Sequence, residues 1–413
     1  MKQSIFTNSE YIVINELGNG GEATVYKVRH RDYDYVRAVR ILNKPILGGK
    51  NATDYNKFID ECKLLLRLGN GCNPNIVRIY KPDLVSGHAI VEMDYIDGCN
   101  ISAYLEKNSF FVEMDEVIRM LNDIGGALAY CHEDIFRYCI NRDVDDVMVD
   151  PDDAEKILID DDTKEKLIEK YRVIHNDIHS GNIMRRENGS YVLLDFGLSL
   201  DGNCNQRSSK KQGGVPEFKS PEKWDDEGIL TTETDIYSFG VLLYEFICGR
   251  VPFKLNGNPN SLNALHELGI AHKKDKPEPF FEYRKQAFES VNKGKEYVRD
   301  YPDWIEELVM KCLEKKPEDR FKNAKELMNF VAENNKKSYN ASIEKEYNNE
   351  VSSLKQKIGD LDKELGEVKS EIDVLTEENV ELKQKNEVLH QANNNLREQL
   401  EMLQEYEIEV IEI

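Results

Sequence analysis

From Val351 to Leu403 the chain repeats two seam positions every seven residues. One line runs Val351, Ile358, Leu365, Ile372, Asn379, Asn386, Asn393, Leu400, and the other runs Leu354, Leu361, Val368, Leu375, Leu382, Leu389, Leu396, Leu403. A helix lying on a globular core needs a wider apolar stripe than this narrow seam. A sustained 3.5-residue period specifies a left-handed coiled coil instead, here a rod of roughly 80 Å at 1.5 Å per residue. Three successive Asn at one seam position favour two parallel strands, in which each amide meets its own copy. Lys357 with Asp362, Glu364 with Lys369, and Glu378 with Lys383 are opposite-sign pairs across that in-register interface. The expected partner is therefore a second copy of the chain. Beyond Leu403, Glu405 to Val410 alternates acidic and apolar residues, which fits a strand or no regular element.

Upstream of about residue 335 the composition changes to a mixture of Gly, Pro, aromatic and β-branched residues, as in a globular domain. The polar run Asn334 to Asn340 marks the joint, giving a globular part over 10–335, a linker over 336–350 and a coiled coil with its tail over 351–413. The 55 basic side chains face 77 acidic ones, a net charge of −22. That balance opposes binding to duplex nucleic acid or to an anionic lipid surface, so neither a nucleic-acid nor a membrane partner is expected. Eight cysteines are scattered without a C-x-x-C pair, as expected of reduced thiols rather than a zinc grip. The residues after Met1 form no signal-peptide core, and the longest apolar stretch, Phe239 to Cys248, is interrupted by Glu245. A soluble, cytoplasmic protein is expected.

The first ninety residues read as a strand-rich region: Tyr11 to Leu17, Ala23 to His30, Tyr35 to Leu42, a helix near Tyr55 to Leu68, and strands near Ile76 to Tyr80 and His88 to Tyr95. Between the first two strands lies Gly18-Asn19-Gly20-Gly21-Glu22-Ala23-Thr24-Val25. Such a hairpin lets backbone N–H groups approach phosphate oxygens, although a turn alone has the same composition. Farther on, His175-Asn176-Asp177-Ile178-His179-Ser180-Gly181-Asn182 precedes a β-like run and then Asp195-Phe196-Gly197. Two carboxylates and a carboxamide converging there suit Mg²⁺, a hard ion that takes oxygen ligands and shares them with phosphates.

These motifs together resemble the protein kinase family, over roughly residues 10 to 335. Ser220-Pro221-Glu222 stands for A-P-E, Asp235 to Gly240 for the D-x-W/Y-S-x-G helix, and Pro317 to Arg320 for the late P-x-x-R whose Arg pairs with the A-P-E Glu. The resemblance implies an α+β bilobal fold: a β-rich N-lobe over 10–93, a hinge over 94–98 and a helical C-lobe over 99–335, followed by the coiled coil. It implies ATP and Mg²⁺ as cofactors and a protein as substrate. Asp177 becomes the base that orients the substrate hydroxyl, while Asn182 and Asp195 hold Mg²⁺. Glu61 takes the place of the helix Glu. Gly18, Gly20 and Ala23 belong to the phosphate turn, Val25, Ala38 and Met184 sandwich the adenine, and Asp94 and Ile96 form the hinge after a Met93 gatekeeper.

Five departures stand out. Arg40 occupies the position of the strand Lys, and its planar fork is bulkier than an ammonium, which leaves contact with the phosphates and Glu61 open. Lys27 and Lys44 are the alternative cations, both on unfavourable registers. Asn176 replaces the Arg that a phosphorylated activation loop neutralises, so control by that switch is not expected. His179 replaces the Lys two residues after the base, a feature of small-molecule kinases, and Val215 replaces the Thr that contacts the base. Residues 133 to 174 form an acidic insertion, whose Asn141-Arg142-Asp143-Val144 mimics the catalytic loop without its Asn and whose Asp runs read as a solvated surface. Three functions fit: a serine/threonine protein kinase dimerised by its coiled coil, a pseudokinase scaffold that binds nucleotide or a partner, and a small-molecule kinase.

Overall fold

Alternation of buried and half-exposed residues builds the first sheet of the computed structural model, which describes residues 6, 10–20, 23–68, 73–143, 148–150, 153–158, 160–202, 213–258 and 261–411. Gly21, Glu22, Cys72, Cys204 and parts of the acidic insertion lie outside the described residues. Strands β1 (Tyr11–Asn19), β2 (Ala23–His30) and β3 (Val36–Leu42) are followed by α1 (Thr53–Arg67), β4 (Ile79–Val85) and β5 (His88–Asp94). They form an antiparallel sheet in the order β1-β2-β3-β5-β4. The expected strand at Ile76 to Tyr80 starts later. Ile76 makes only an isolated bridge to Leu193, and Pro82, which has no N–H to donate, falls beside a register shift in β4. On α1, Tyr55, Phe58, Cys62 and Leu65 are buried, which fixes the rotation that turns Glu61 toward β3.

A short strand β6 (Gly98–Asn100) and helix α2 (Ile101–Lys107) follow. Gly98 has φ 155°, and a Cβ there would stand 1.9 Å from the Arg185 carbonyl oxygen, so only glycine fits where the chain leaves the first sheet. Helix α3 (Met114–Ala129) does not stop at His132. It passes through a π turn at Tyr130–Asp134 into α4 (Ile135–Asp143), so the expected insertion begins as more helix. A hairpin of β7 (Met148–Asp150) and β8 (Asp153–Leu158) leads to α5 (Asp161–Tyr171). Asp160 caps α5 by accepting from the Thr163 amide at 2.9 Å, and Asp161 and Asp162 sit in its first turn, where acidic side chains favour the helix dipole.

The remaining strands are β9 (Val173–Ile174), β10 (Ile183–Arg186), β11 (Tyr191–Leu193) and β12 (Leu200–Asp201); β10 pairs with both β11 and β6. Then come α6 (Thr232–Cys248), α7 (Leu262–Lys274), α8 (Phe280–Val291) and α9 (Asp303–Cys312). Helix α6 is the axis of the core: all its residues but Glu233 and Glu245 are buried, against α3, α8 and α9. This bilobal arrangement is the α+β fold that the motifs implied.

By Cα packing the chain divides into Met1–Asn334 and Asn335–Ile413. Helix α10 covers Ala324–Ile411. The polar joint expected over 336–350 is therefore helical, since it holds no Pro or Gly to break a helix. The tail to Ile411 is helical as well. A lone strand there would need a partner for its backbone groups, whereas a helix satisfies them internally. Within this second unit Leu354, Leu361, Leu375, Leu382, Leu389, Leu396 and Leu403 are each at least half exposed. Among the described residues no helix is long and apolar enough to cross a membrane.

Candidate active site

Strand register puts Arg40 opposite Val25 on one side and Val91 on the other, in the middle of the sheet. Its guanidinium spans two carboxylates: Nη1 donates to Glu61 Oε1 at 2.5 Å, and Nη2 lies 3.7 Å from Asp195 Oδ1. Burial alone would weaken the proton's hold on Arg40, but Glu61 and Asp195 outweigh it and raise the group above its ordinary range. The contact to Glu61 that the bulkier fork left open is thus made. Lys27 instead sits 3.9 Å over the Tyr95 ring, and Lys44 is exposed beyond the end of β3.

The loop from His175 to Asn182 is hung from Asp235 at the start of α6. Asp235 Oδ2 accepts the His175 amide at 2.6 Å, its Oδ1 accepts the Asn176 amide at 2.7 Å, and His132 Nε2 lies 3.0 Å from Oδ2. These bonds hold Asn176 at φ 65°, a left-handed conformation that costs a non-glycine residue energy. Asp195 has φ 51°, and buried Phe196 packs edge-on to His175 at 4.6 Å. The Asp177 carboxylate meets Asn182 Nδ2 at 3.1 Å and His179 Nε2 at 3.8 Å. Burial would raise its pKa, but His179, His175 and Lys223 together outweigh burial and hold it below the usual carboxylate range. An ionised carboxylate in this position is able to accept a proton.

Asn182 Nδ2 also donates to the Asp177 carbonyl at 3.0 Å, which leaves the amide oxygen as the atom available to a cation. With the half-exposed Asp195 carboxylate this is a set of hard oxygen donors, and it fits Mg²⁺. Among the described residues no three His, Cys, Asp or Glu side chains gather to enclose a metal by themselves. A two-ligand set suits an ion that takes its other ligands from phosphate and water.

A cavity of about 140 Å³ adjoins part of this set, and neither Asp177 nor His179 is in its lining. Val25 and Met93 line it together with Arg40, Glu61, Asn182 and Asp195. Gly18, Gly20, Ala23, Ala38, Asp94, Ile96 and Met184 are not among its lining. Gly18 pairs with Val25, and Ala23 pairs with Leu42. Gly20 donates to the Ala23 carbonyl at 2.9 Å and accepts from Asn43 Nδ2 at 2.7 Å, which ties the glycine turn to the end of β3. Ala38 is buried opposite Met93, and Ile96 is buried in the main core. Asp94 accepts from the Tyr80 hydroxyl at 2.6 Å, and Met184 lies on β10 opposite Asn100.

The segment around Ser220-Pro221-Glu222 is locked from a distance. Arg320 Nη1 and Nη2 each donate to one Glu222 oxygen at 3.0 Å, and Thr234 Oγ1 donates to Glu222 at 2.8 Å. Two residues escaped the reading of the sequence. Asp235 stood there only as part of a helix motif, not as the anchor of the loop. Lys223 was not singled out at all, yet its Nζ donates to the Asn176 carbonyl at 2.8 Å. The only sequence signal for Lys223 was its place directly after Glu222.

The geometry agrees with sequence comparison. The family profile described as protein kinase domain matches residues 11–161 and 165–331, and the chain belongs to that family. It is similar to a probable serine/threonine-protein kinase of Clostridium acetobutylicum, 25% identical over 327 residues that cover 79% of this chain and 40% of that protein. Serine/threonine-protein kinase PkaA of Streptomyces coelicolor is also 25% identical, over 76% of this chain and 48% of its own length. For PrkC of Bacillus subtilis the figures are 23%, 78% and 40%. The chain thus spans less than half the length of these relatives.

Proposed function

We propose that this chain transfers the γ-phosphoryl group of ATP, bound with Mg²⁺, to serine or threonine hydroxyls of proteins. The observation that carries the reading is the span of Arg40 between Glu61 and Asp195: the substituted cation still joins the helix carboxylate to the metal-ligand carboxylate. In this reading Arg40 neutralises phosphate charge, and Asn182 and Asp195 hold the Mg²⁺ that bridges the phosphates. Asp177 orients the substrate hydroxyl and accepts its proton, with His179 beside it. The glycine turn covers the phosphates, while Val25, Ala38, Met93, Asp94, Ile96 and Met184 surround the base.

Incubation of the purified chain with labelled ATP and Mg²⁺ tests this. Wild type is expected to label itself, and Asp177→Ala and Asp195→Ala are expected to abolish labelling. Equal labelling of all three would mean contamination. Nucleotide binding without labelling would favour a scaffold that has kept the fold and lost the chemistry.

The second unit is proposed to pair two copies in parallel. Its exposed leucine line and matched charges support pairing, and in-register Asn379, Asn386 and Asn393 meet their own copies. Both kinase domains then share one tether, which raises their effective concentration for phosphorylation in trans. Light scattering is expected to report a dimer for the full chain and a monomer after truncation at Lys336; a monomeric full chain at micromolar concentration would remove the proposal.

A further inference from the structure

The catalytic loop lacks two groups that ordinarily support the base, since His179 stands at the Lys position and Val215 at the Thr position. We propose that Lys223 is a positioning residue that replaces both, reaching the loop from the segment after Ser220-Pro221-Glu222 to hold Asp177 in place for phosphoryl transfer. The proposal rests on the phosphoryl-transfer reading above.

Three observations converge on it. Lys223 is only 9% exposed, and its ammonium donates to the carbonyl of Asn176, the residue directly before the base. A Cβ placed on Gly214 would lie 2.8 Å from Asp177 Oδ1 and 3.6 Å from Lys223 Nζ, so the ammonium and the carboxylate flank the same short piece of backbone. Gly214 has φ 88°, and any larger residue would push into that space. The third observation concerns His179. Its Nδ1 accepts from the Gly181 amide at 3.1 Å, and Nε2 stays 3.8 Å from Asp177 Oδ2, beyond hydrogen-bond reach, so the imidazole is tied to its own loop and does not grip the carboxylate.

Burying an ammonium merely to cap one carbonyl is expensive, because a neutral donor does the same without the desolvation cost. A cation at this point has a purpose if it offsets the charge of the base and of an incoming phosphoryl group. Burial pushes Lys223 down to about 8, helped by Lys219, while Asp177 of the loop, Asp235 of α6 and Glu222 of its own segment pull the other way. His175 and His179 also face the Asp177 carboxylate. The supporting charge is therefore present at neutral pH and lost as pH rises through about 8.

The test compares wild type with Lys223→Met and Lys223→Arg. In Lys223→Met, kcat is expected to fall about 10–100-fold while KM for ATP changes by less than about threefold. Lys223→Arg is expected to recover most of the loss. The alkaline limb of the wild-type kcat profile, near pH 8, should move upward in Lys223→Arg and vanish in Lys223→Met. A Lys223→Met enzyme within about twofold of wild type, an Arg variant no better than Met, or one alkaline limb shared by all three would overturn the proposal. If wild type transfers no phosphoryl group, the kinase reading fails first. The contact is then judged by urea midpoints of Asp177→Asn, Lys223→Met and the double variant. Non-additive shifts would leave the coupling of Lys223 to Asp177 standing without its catalytic purpose, and additive shifts would remove the coupling too.

Discussion

The two lobes have met the loss of a family lysine in opposite ways. In the N-lobe the replacement is in place: Arg40 occupies the strand position itself and reaches Glu61 and Asp195 from the expected direction. In the C-lobe the replacement comes from elsewhere, as Lys223 arrives at the catalytic loop from 47 residues away in sequence. A substitution in place keeps the geometry but changes the chemistry of the head group. A substitution from a distance keeps the chemistry, an ammonium, but makes it depend on the fold of another segment. Each solution should therefore fail in its own way.

The largest expected effect is in the N-lobe. Arg40→Met removes the cation that spans Glu61 and Asp195, and phosphotransfer should fall about 10²–10³-fold with the fold retained. Activity surviving in Arg40→Met, measured by initial rates, would break the comparison, because the N-lobe would then have no replacement at all.

The next effect sharpens the C-lobe side. Glu222→Gln leaves the buried Arg320 guanidinium without its bidentate partner and should cost about 3 kcal/mol in urea unfolding at pH 7. Burial works against the ionised Glu222, but Arg320 outweighs it and holds the carboxyl below its ordinary range. The sign follows: this stabilisation is fully present above the unfolded-state pKa of about 4.3 and is lost as pH falls through the lower folded value. The gap between wild type and Glu222→Gln should therefore narrow under acid. Since the variant loosens the segment that carries Lys223, turnover should drop more than ATP affinity. A loss confined to ATP affinity would contradict dependence on that segment.

The smallest effect concerns the head group alone. Arg40→Lys restores a compact ammonium at a site whose other parts remain, and turnover should rise by about tenfold or less. A large fall would show that the guanidinium has a role of its own, and that the in-place replacement is an adaptation rather than a defect.

Legibility in the sequence followed a similar division. The loops at His175 and Asp195, the place of Arg40 and the pairing of Glu222 with Arg320 were readable because each depends on short spacing with a defined chemistry. The strands of the first sheet were readable from alternation, with β4 displaced by Pro82. What was missed had no local stop or start. The helix past His132 continues through a π turn because nothing in Glu133 to Asp143 breaks it; the chain does divide at the polar run beginning at Asn334, but the joint is helical because polar residues alone do not end a helix. Lys223 was invisible for a different reason. An exposed lysine and a buried one are the same letter, and only the return of the chain over Asn176 distinguishes them.

The Glu222–Arg320 pair has a consequence for the order of events at the ribosome. The two residues are 98 apart in sequence, so at about 5–20 residues per second Arg320 is made on the order of 5–20 s after Glu222. During that interval the nascent chain already holds Asp177, Asn182 and Asp195, but the segment beside them lacks its anchor. A growing chain thus carries every reactive group before it can hold them in working order, and the bond that completes the arrangement is among the last of the first unit to form.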